Sequence, residues 1–180
     1  MDMDGLTDRL GAERGDLVGV AISPRVGVGL ATATGLIAID AGTAEPAEVV
    51  RHLDATLRPR WVLWSQATAR VLVAGGLRVA TAWDLAAVHR LLFGGWAADP
   101  GRIWAELHEL PTTDIPRLGP VDLFSQQDED GTDDPIQPDG HLRATWIGGR
   151  WADDPSHLAR WAELAVTAAD AQHHRLAAIT

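Results

Sequence analysis

The stretch that decides the fold is Trp61–Leu92, WVLWSQATARVLVAGGLRVATAWDLAAVHRLL. Trp61–Trp64 is a short, wholly apolar run and predicts a buried strand. Ser65 is a good N-cap for a helix carrying Ala69, Val71, Leu72 and Val73, which Gly75-Gly76 closes. Leu77–Thr81 predicts a second short strand. Asp84 then caps a further helix, with Leu85, Val88, Leu91 and Leu92 turned inward. Strand, helix, strand, helix in so few residues predicts an α/β fold whose mixed sheet continues with alternating strands and helices.

Upstream, Leu17–Ser23, Val26–Thr32 and Leu36–Ala41 are β-rich runs broken at Pro24-Arg25 and Thr34-Gly35, which predicts an antiparallel meander. Gly27 and Gly29 alternate with apolar residues, but no helix and no Lys-Ser/Thr follow, so this is not a phosphate loop. Leu6 and Leu10, four apart, mark one helical turn. Thr43 is the expected cap of a helix with Glu45-Pro46 in its first turn and Val49, Val50, Leu53 and Leu57 on its face; Pro59 stops it. Asp99 and Pro100 open another helix, carrying Ile103, Trp104 and Leu107. From 111 to 141 the pattern dissolves into an acidic, proline-rich insert, read as a flexible loop. Trp146–Trp151 returns to order through a glycine turn. Pro155 and Ser156 open a long last helix with Leu158, Trp161, Leu164, Ala165, Ala168 and Leu176 inward, still running at Thr180. The whole reads as one α/β domain over residues 1–180, the front part of a longer chain.

Apolar residues make up 46% of the chain, enough for a real core in 180 residues. No cysteine is present, which excludes disulfides and cysteine-ligated zinc. No apolar run approaches membrane length and no basic-apolar leader opens the chain, so the expectation is a cytoplasmic protein with no membrane contact. A net charge of −10 argues against a domain that grips nucleic acid by itself, so DNA is expected only indirectly. The eight tryptophans read mainly as core, with Trp61, Trp104 and Trp161 at core-facing positions; Trp146 and Trp151 stay open. The seven histidines lack the spacing of a helical zinc site and read as solvated or partly packed. No serine sits in a nucleophile elbow.

The element order and several phrases resemble an RNase H-like exonuclease domain. Asp16–Ser23 (DLVGVAIS) resembles the second strand of the 3′–5′ exonuclease domain of family A DNA polymerases. Leu72–Leu85 (LVAGGLRVATAWDL) resembles that family's helix, glycine turn, strand and Phe-Asp-Thr segment. RPRWVLWS (58–65), AWDLAAVHRLLFGG (82–95) and a proline-flanked Asp-Leu-Phe before an acidic insert resemble the bifunctional 3′–5′ exonuclease/DNA polymerase proteins of high-GC Gram-positive bacteria. The resemblance covers residues 16–110 and, loosely, the last helix.

Such nucleases hold two divalent metals, about 4 Å apart, on four carboxylates. By resemblance, the first two form Asp-x-Glu on a strand before Asp16; only Asp2-Met3-Asp4 lies there, with no apolar strand to hold it. The third position falls on Ala67. The fourth falls near Asp170, with Val166 in place of the family's Tyr, or on Ala165 if Trp161 takes that place. Asp84 and Gly75 read as structural. The resemblance therefore implies a catalytically degenerate domain with no metal of its own, supporting a polymerase domain in the same chain during replication and repair. Pro120-Val121-Asp122-Leu123-Phe124 resembles the peptide by which bacterial replication proteins dock on the β sliding clamp, making Val121, Asp122, Leu123 and Phe124 candidate partner contacts; folding back on the core is the other reading of Leu123-Phe124. Two alternatives stand beside this one: an active nuclease using Mg²⁺ or Mn²⁺, and an unrelated α/β interaction module.

Overall fold

A computed structural model of the chain describes residues 4–117 and 132–179. It contains a mixed five-stranded sheet between two helical layers. The strands are β1 (Leu17–Ser23), β2 (Gly27–Ala31), β3 (Leu36–Asp40), β4 (Arg60–Leu63) and β5 (Ala82–Asp84), in spatial order β3-β2-β1-β4-β5. β1, β2 and β3 form the antiparallel meander, and β4 and β5 add parallel to β1. The helices are α1 (Asp4–Leu10), α2 (Pro46–Leu57), α3 (Gln66–Ala74), α4 (Leu85–Phe93), α5 (Pro100–Leu107), α6 (Ala144–Ile147) and α7 (Pro155–Ala177).

The two faces of the sheet differ in side-chain size, and this sets the layers. On one face Val18, Val20, Ile22, Val28, Leu30, Ile37 and Ile39 meet Leu6 and Leu10 of α1, the apolar stripe of α2, and Leu72 of α3. On the other, β1 and β2 present Gly19, Ala21, Gly29 and Ala31. The register pairs Gly19 with Ala31 and Ala21 with Gly29, so these four form one contiguous patch of small residues. Helix α7 lies on that patch with its own small residues, Ala159, Ala162 and Ala165, buried there among others. The approach is close enough to need glycine. A Cβ on Gly19 would come 2.3 Å from the Ala162 carbonyl oxygen, and one on Gly29 would come 2.0 Å from the Leu158 carbonyl carbon.

Several local expectations shift. The second parallel strand is Ala82–Asp84, not Leu77–Thr81; Leu77 instead tucks under the end of α3, its N–H donating to the Leu72 carbonyl. Helix α2 is capped by Glu45 and not Thr43, because the N–H groups of Thr43 and Ala44 are both spent on the Asp40 carbonyl in the preceding turn. On α4 the buried residues are Leu85, Ala86 and His89, while Leu91 is 83% exposed and Val73 of α3 is also exposed. The stripe on α4 is turned by about one position later than the apolar residues suggest. Trp146 is buried and Trp151 half-buried. Helix α7 ends at Ala177.

Of the 111–141 insert, the described ends are tied down. His141 is buried, its Nε2 3.1 Å from the Pro111 carbonyl. Ile136 and Leu142 form an isolated bridge, and the buried Arg143 guanidinium donates from Nε to the Asp134 carbonyl. The proposed contact segment Val121, Asp122, Leu123 and Phe124 lies outside the described residues, as do Asp2 and Met3.

Candidate functional site

The run Leu17–Ser23, which resembles a second strand, occupies the first and central position of this sheet, with β2 on one side and β4 on the other. No described strand precedes it. On the face toward the last helix β1 carries Gly19 and Ala21. Asp16 lies just before β1 and is exposed, its carboxylate accepting from the Glu13 N–H at 2.8 Å.

Ala67 is exposed in the first turn of α3, where its N–H donates to the capping Ser65 hydroxyl at 3.2 Å. Asp170 is exposed on α7 and faces His174 one turn on, 3.5 Å away. It lines a cleft of about 710 Å³ together with Asp16, Glu163, Val166, Thr167 and Thr32. Three carboxylates thus rim one cleft, yet among the described residues no three Asp, Glu or His side chains come close enough together to hold a metal ion. Asp84 caps α4, its Oδ1 accepting from the Ala87 N–H at 3.0 Å, and Gly75 ends α3 against Ala47 of α2.

The space beside β4 on the α7 face is filled by indole rings. Trp64, just past β4, stacks on Trp161 of α7 with centroids 4.7 Å apart, and its Nε1 donates to the Trp161 carbonyl at 3.0 Å. Trp151 stacks on Trp161 at 6.1 Å, and Trp146 tilts against it at 6.2 Å. His157, next to Trp146, is held between the Asp133 carboxylate and the Arg150 carbonyl. Hydrogen bonds from Arg150 and His157 draw the Asp133 carboxyl below its usual 3.8.

A second polar cluster lies at the other end of α7. The Trp83 indole stacks on His173, and its Nε1 donates to Gln172 Oε1 at 2.8 Å; the Gln172 amide in turn donates to the Leu85 carbonyl at 2.9 Å. Gln172 is fully buried, so this bridge joins β5, α4 and α7 through satisfied bonds. Next to it, His89 of α4 is fully buried with Nε2 3.2 Å from Glu106 Oε2 of α5. That distance fits an ion pair, but the angle does not make a hydrogen bond, and both ring nitrogens and Glu106 Oε2 are without hydrogen-bond partners. Arg102 donates from Nε to Glu106 Oε1 at 3.0 Å.

Sequence reasoning missed both buried histidines. For His89 the spacing from Leu85 and Ala86 allows a shared helix face, but the apolar Val88, Leu91 and Leu92 point the expected stripe elsewhere. For His141 the only local cue is its place beside Leu142.

No protein-family model, no curated protein and no solved structure matches the chain.

Proposed function

We propose that this chain is an RNase H-like 3′–5′ exonuclease domain whose nuclease centre has been replaced by packing. It serves a DNA polymerase of family A as a structural module in replication and repair. The observation that carries this reading is the small-residue patch on β1 and β2. The face on which a nuclease of this kind would hold its first acid pair carries Gly19 and Ala21, and α7 rests there against bare backbone. A side chain at Gly19 would collide with α7, since its Cβ would come 2.3 Å from the Ala162 carbonyl oxygen. Strand order and direction support the same reading, since three antiparallel strands followed by two strands parallel to the first, with the first at the centre, is what an RNase H-like sheet requires. Ala67 in the first turn of α3 adds a second position where the resemblance calls for an acid.

A net charge of −10 suits a module that contacts DNA through its neighbours. The segment Val121–Phe124 supplies a tether to the sliding clamp in this proposal. The direct test is incubation with 3′-labelled single-stranded DNA in Mg²⁺ or Mn²⁺. The expected result is intact substrate. Release of mononucleotides together with binding of two metals would overturn the proposal in favour of an active nuclease. For the tether, a peptide spanning Arg117–Gln127 is titrated against β clamp, and absence of binding would remove that part alone.

An α/β interaction module of other ancestry is the second reading. It is favoured by two exposed large apolar residues, Leu91 near the end of α4 and Trp96 in the loop after it, which are 83% and 91% exposed. A polymerase-coding sequence directly downstream of this one would exclude it.

A further inference from the structure

Helix α4 is held by β5, α5 and α7, and at the centre of that contact lies a titratable ring with nothing to bond. The His89 imidazole is fully buried, and neither nitrogen has a hydrogen-bond partner. Facing it from α5 is Glu106, whose Oε1 is taken by Arg102 and whose Oε2, 3.2 Å from His89 Nε2, is equally unpartnered. Asp99, the cap of α5, and Arg90, on α4 itself, complete the nearby charges on that side. From α7, Arg175 lies over the Phe93 ring at 5.3 Å, and Phe93 packs against His89 with centroids 4.9 Å apart. Also from α7, His173 is stacked on Trp83 of β5, and the neutral Gln172 amide reaches the Leu85 carbonyl. From β5, the Asp84 carboxylate is engaged by the Ala87 N–H.

We propose that the buried His89 site is a proton-operated latch: α4 stays packed against α5 while the imidazole is neutral, and that contact loosens when the ring takes a proton. A neutral ring carries one N–H, so it leaves a single donor without an acceptor in the packed site. An imidazolium carries two, and both are then without an acceptor there. The charged ring also lies in a site closed to water, so relief comes from moving α4 outward.

Burial draws the imidazole below its usual 6.5; the Glu106 carboxylate pulls upward, Arg102 downward, Asp99 upward and Arg90 downward. The sign follows from a folded value lower than the unfolded one. Above pH 6.5 the contribution of His89 to stability is complete. As pH falls from there toward the folded value, the unfolded or loosened state binds the proton more readily and the contact weakens.

The test uses the full chain with ¹³C-labelled histidine. The His89 ring resonance, identified by its absence in His89→Gln, is followed against pH beside amide protection factors for α4 and β1. The expected midpoint lies below 6.5, and Glu106→Gln lowers it further by removing the one adjacent carboxylate. Protection of α4 amides is expected to fall by up to about tenfold per pH unit between 6.5 and that midpoint, while β1 amides keep theirs. If His89→Gln does not fold, the resonance that Glu106→Gln moves identifies the ring. A midpoint at or above 6.5, or α4 protection that ignores the titration, would overturn the latch.

Discussion

Gly29 shows how much one missing side chain can position. Its φ is not in the left-handed region, so alanine could adopt its backbone; the obstacle is the Leu158 carbonyl carbon 2.0 Å from where the new Cβ would stand. Backbone cannot rotate away as a side chain can, so the helix as a whole must lift. Gly29→Ala is expected to cost about 3 kcal/mol, at the upper end of ordinary overpacking. At about 2–4 °C per kcal/mol for a domain of this size, calorimetry should record a fall of about 6–12 °C. Gly19→Ala should behave similarly. Leu91→Glu is the contrasting case. The residue is apolar and lies in a helix, yet it is 83% exposed, so its replacement should change stability by no more than about 0.5 kcal/mol in a denaturant titration. Periodicity alone places Leu91 inward and leaves His89 solvated. Both readings reverse because α4 is rotated so that the Leu85, Ala86 and His89 stripe meets α5 and α7.

Helix α7 and the indole cluster around it tie the domain together. Trp161 touches Trp64 from the end of β4, Trp146 from α6 and Trp151 from the turn before α7. Trp161→Ala would open a cavity and leave the Trp64 indole packed against nothing. A loss of about 3–5 kcal/mol is expected, visible as an early denaturation midpoint, with Trp161→Phe recovering part of it. The corner before α7 is pinned by Asp133 between Arg150 and His157. Its carboxyl is held below 3.8 in the folded chain, so this support is present above that value and is lost as pH falls through the lower folded one. Because Asp133 is half exposed, the effect is modest. Asp133→Asn should therefore lower the melting temperature slightly at neutral pH, and the difference from the parent should shrink as pH falls from 3.8 through the lower folded value.

Taken as one body, the domain has an acidic surface, a closed sheet face and a cleft rimmed by Asp16, Glu163 and Asp170. A ligand that binds the folded state alone raises the melting temperature by mass action. Under the proposed function, 10 mM Mg²⁺ or Mn²⁺ should leave the melting temperature within about 1 °C of its metal-free value. A rise of several degrees would point to a real cation site in that cleft and against a centre replaced by packing.

The last strand was expected at Leu77–Thr81 and lies at Ala82–Asp84, whereas the meander, the strand at Trp61, the helices that follow Ser65 and Asp84, and the caps at Ser65, Asp84 and Asp99 were legible in the residues themselves. Each depends on neighbours within a few positions: β-branched runs, turn glycines, and side-chain oxygens reaching N–H groups two or three residues on. The central place of Leu17–Ser23, the burial of His89 and His141, and the meaning of Gly19 and Gly29 were decided only in three dimensions. Each depends on a partner far along the chain: Trp61 and Val62 for the strand, Glu106 and Pro111 for the histidines, and the backbone of Leu158 and Ala162 for the glycines. Local sequence encodes local hydrogen bonds and periodic faces, whereas the distance between two packed backbones is a property of the layers they form.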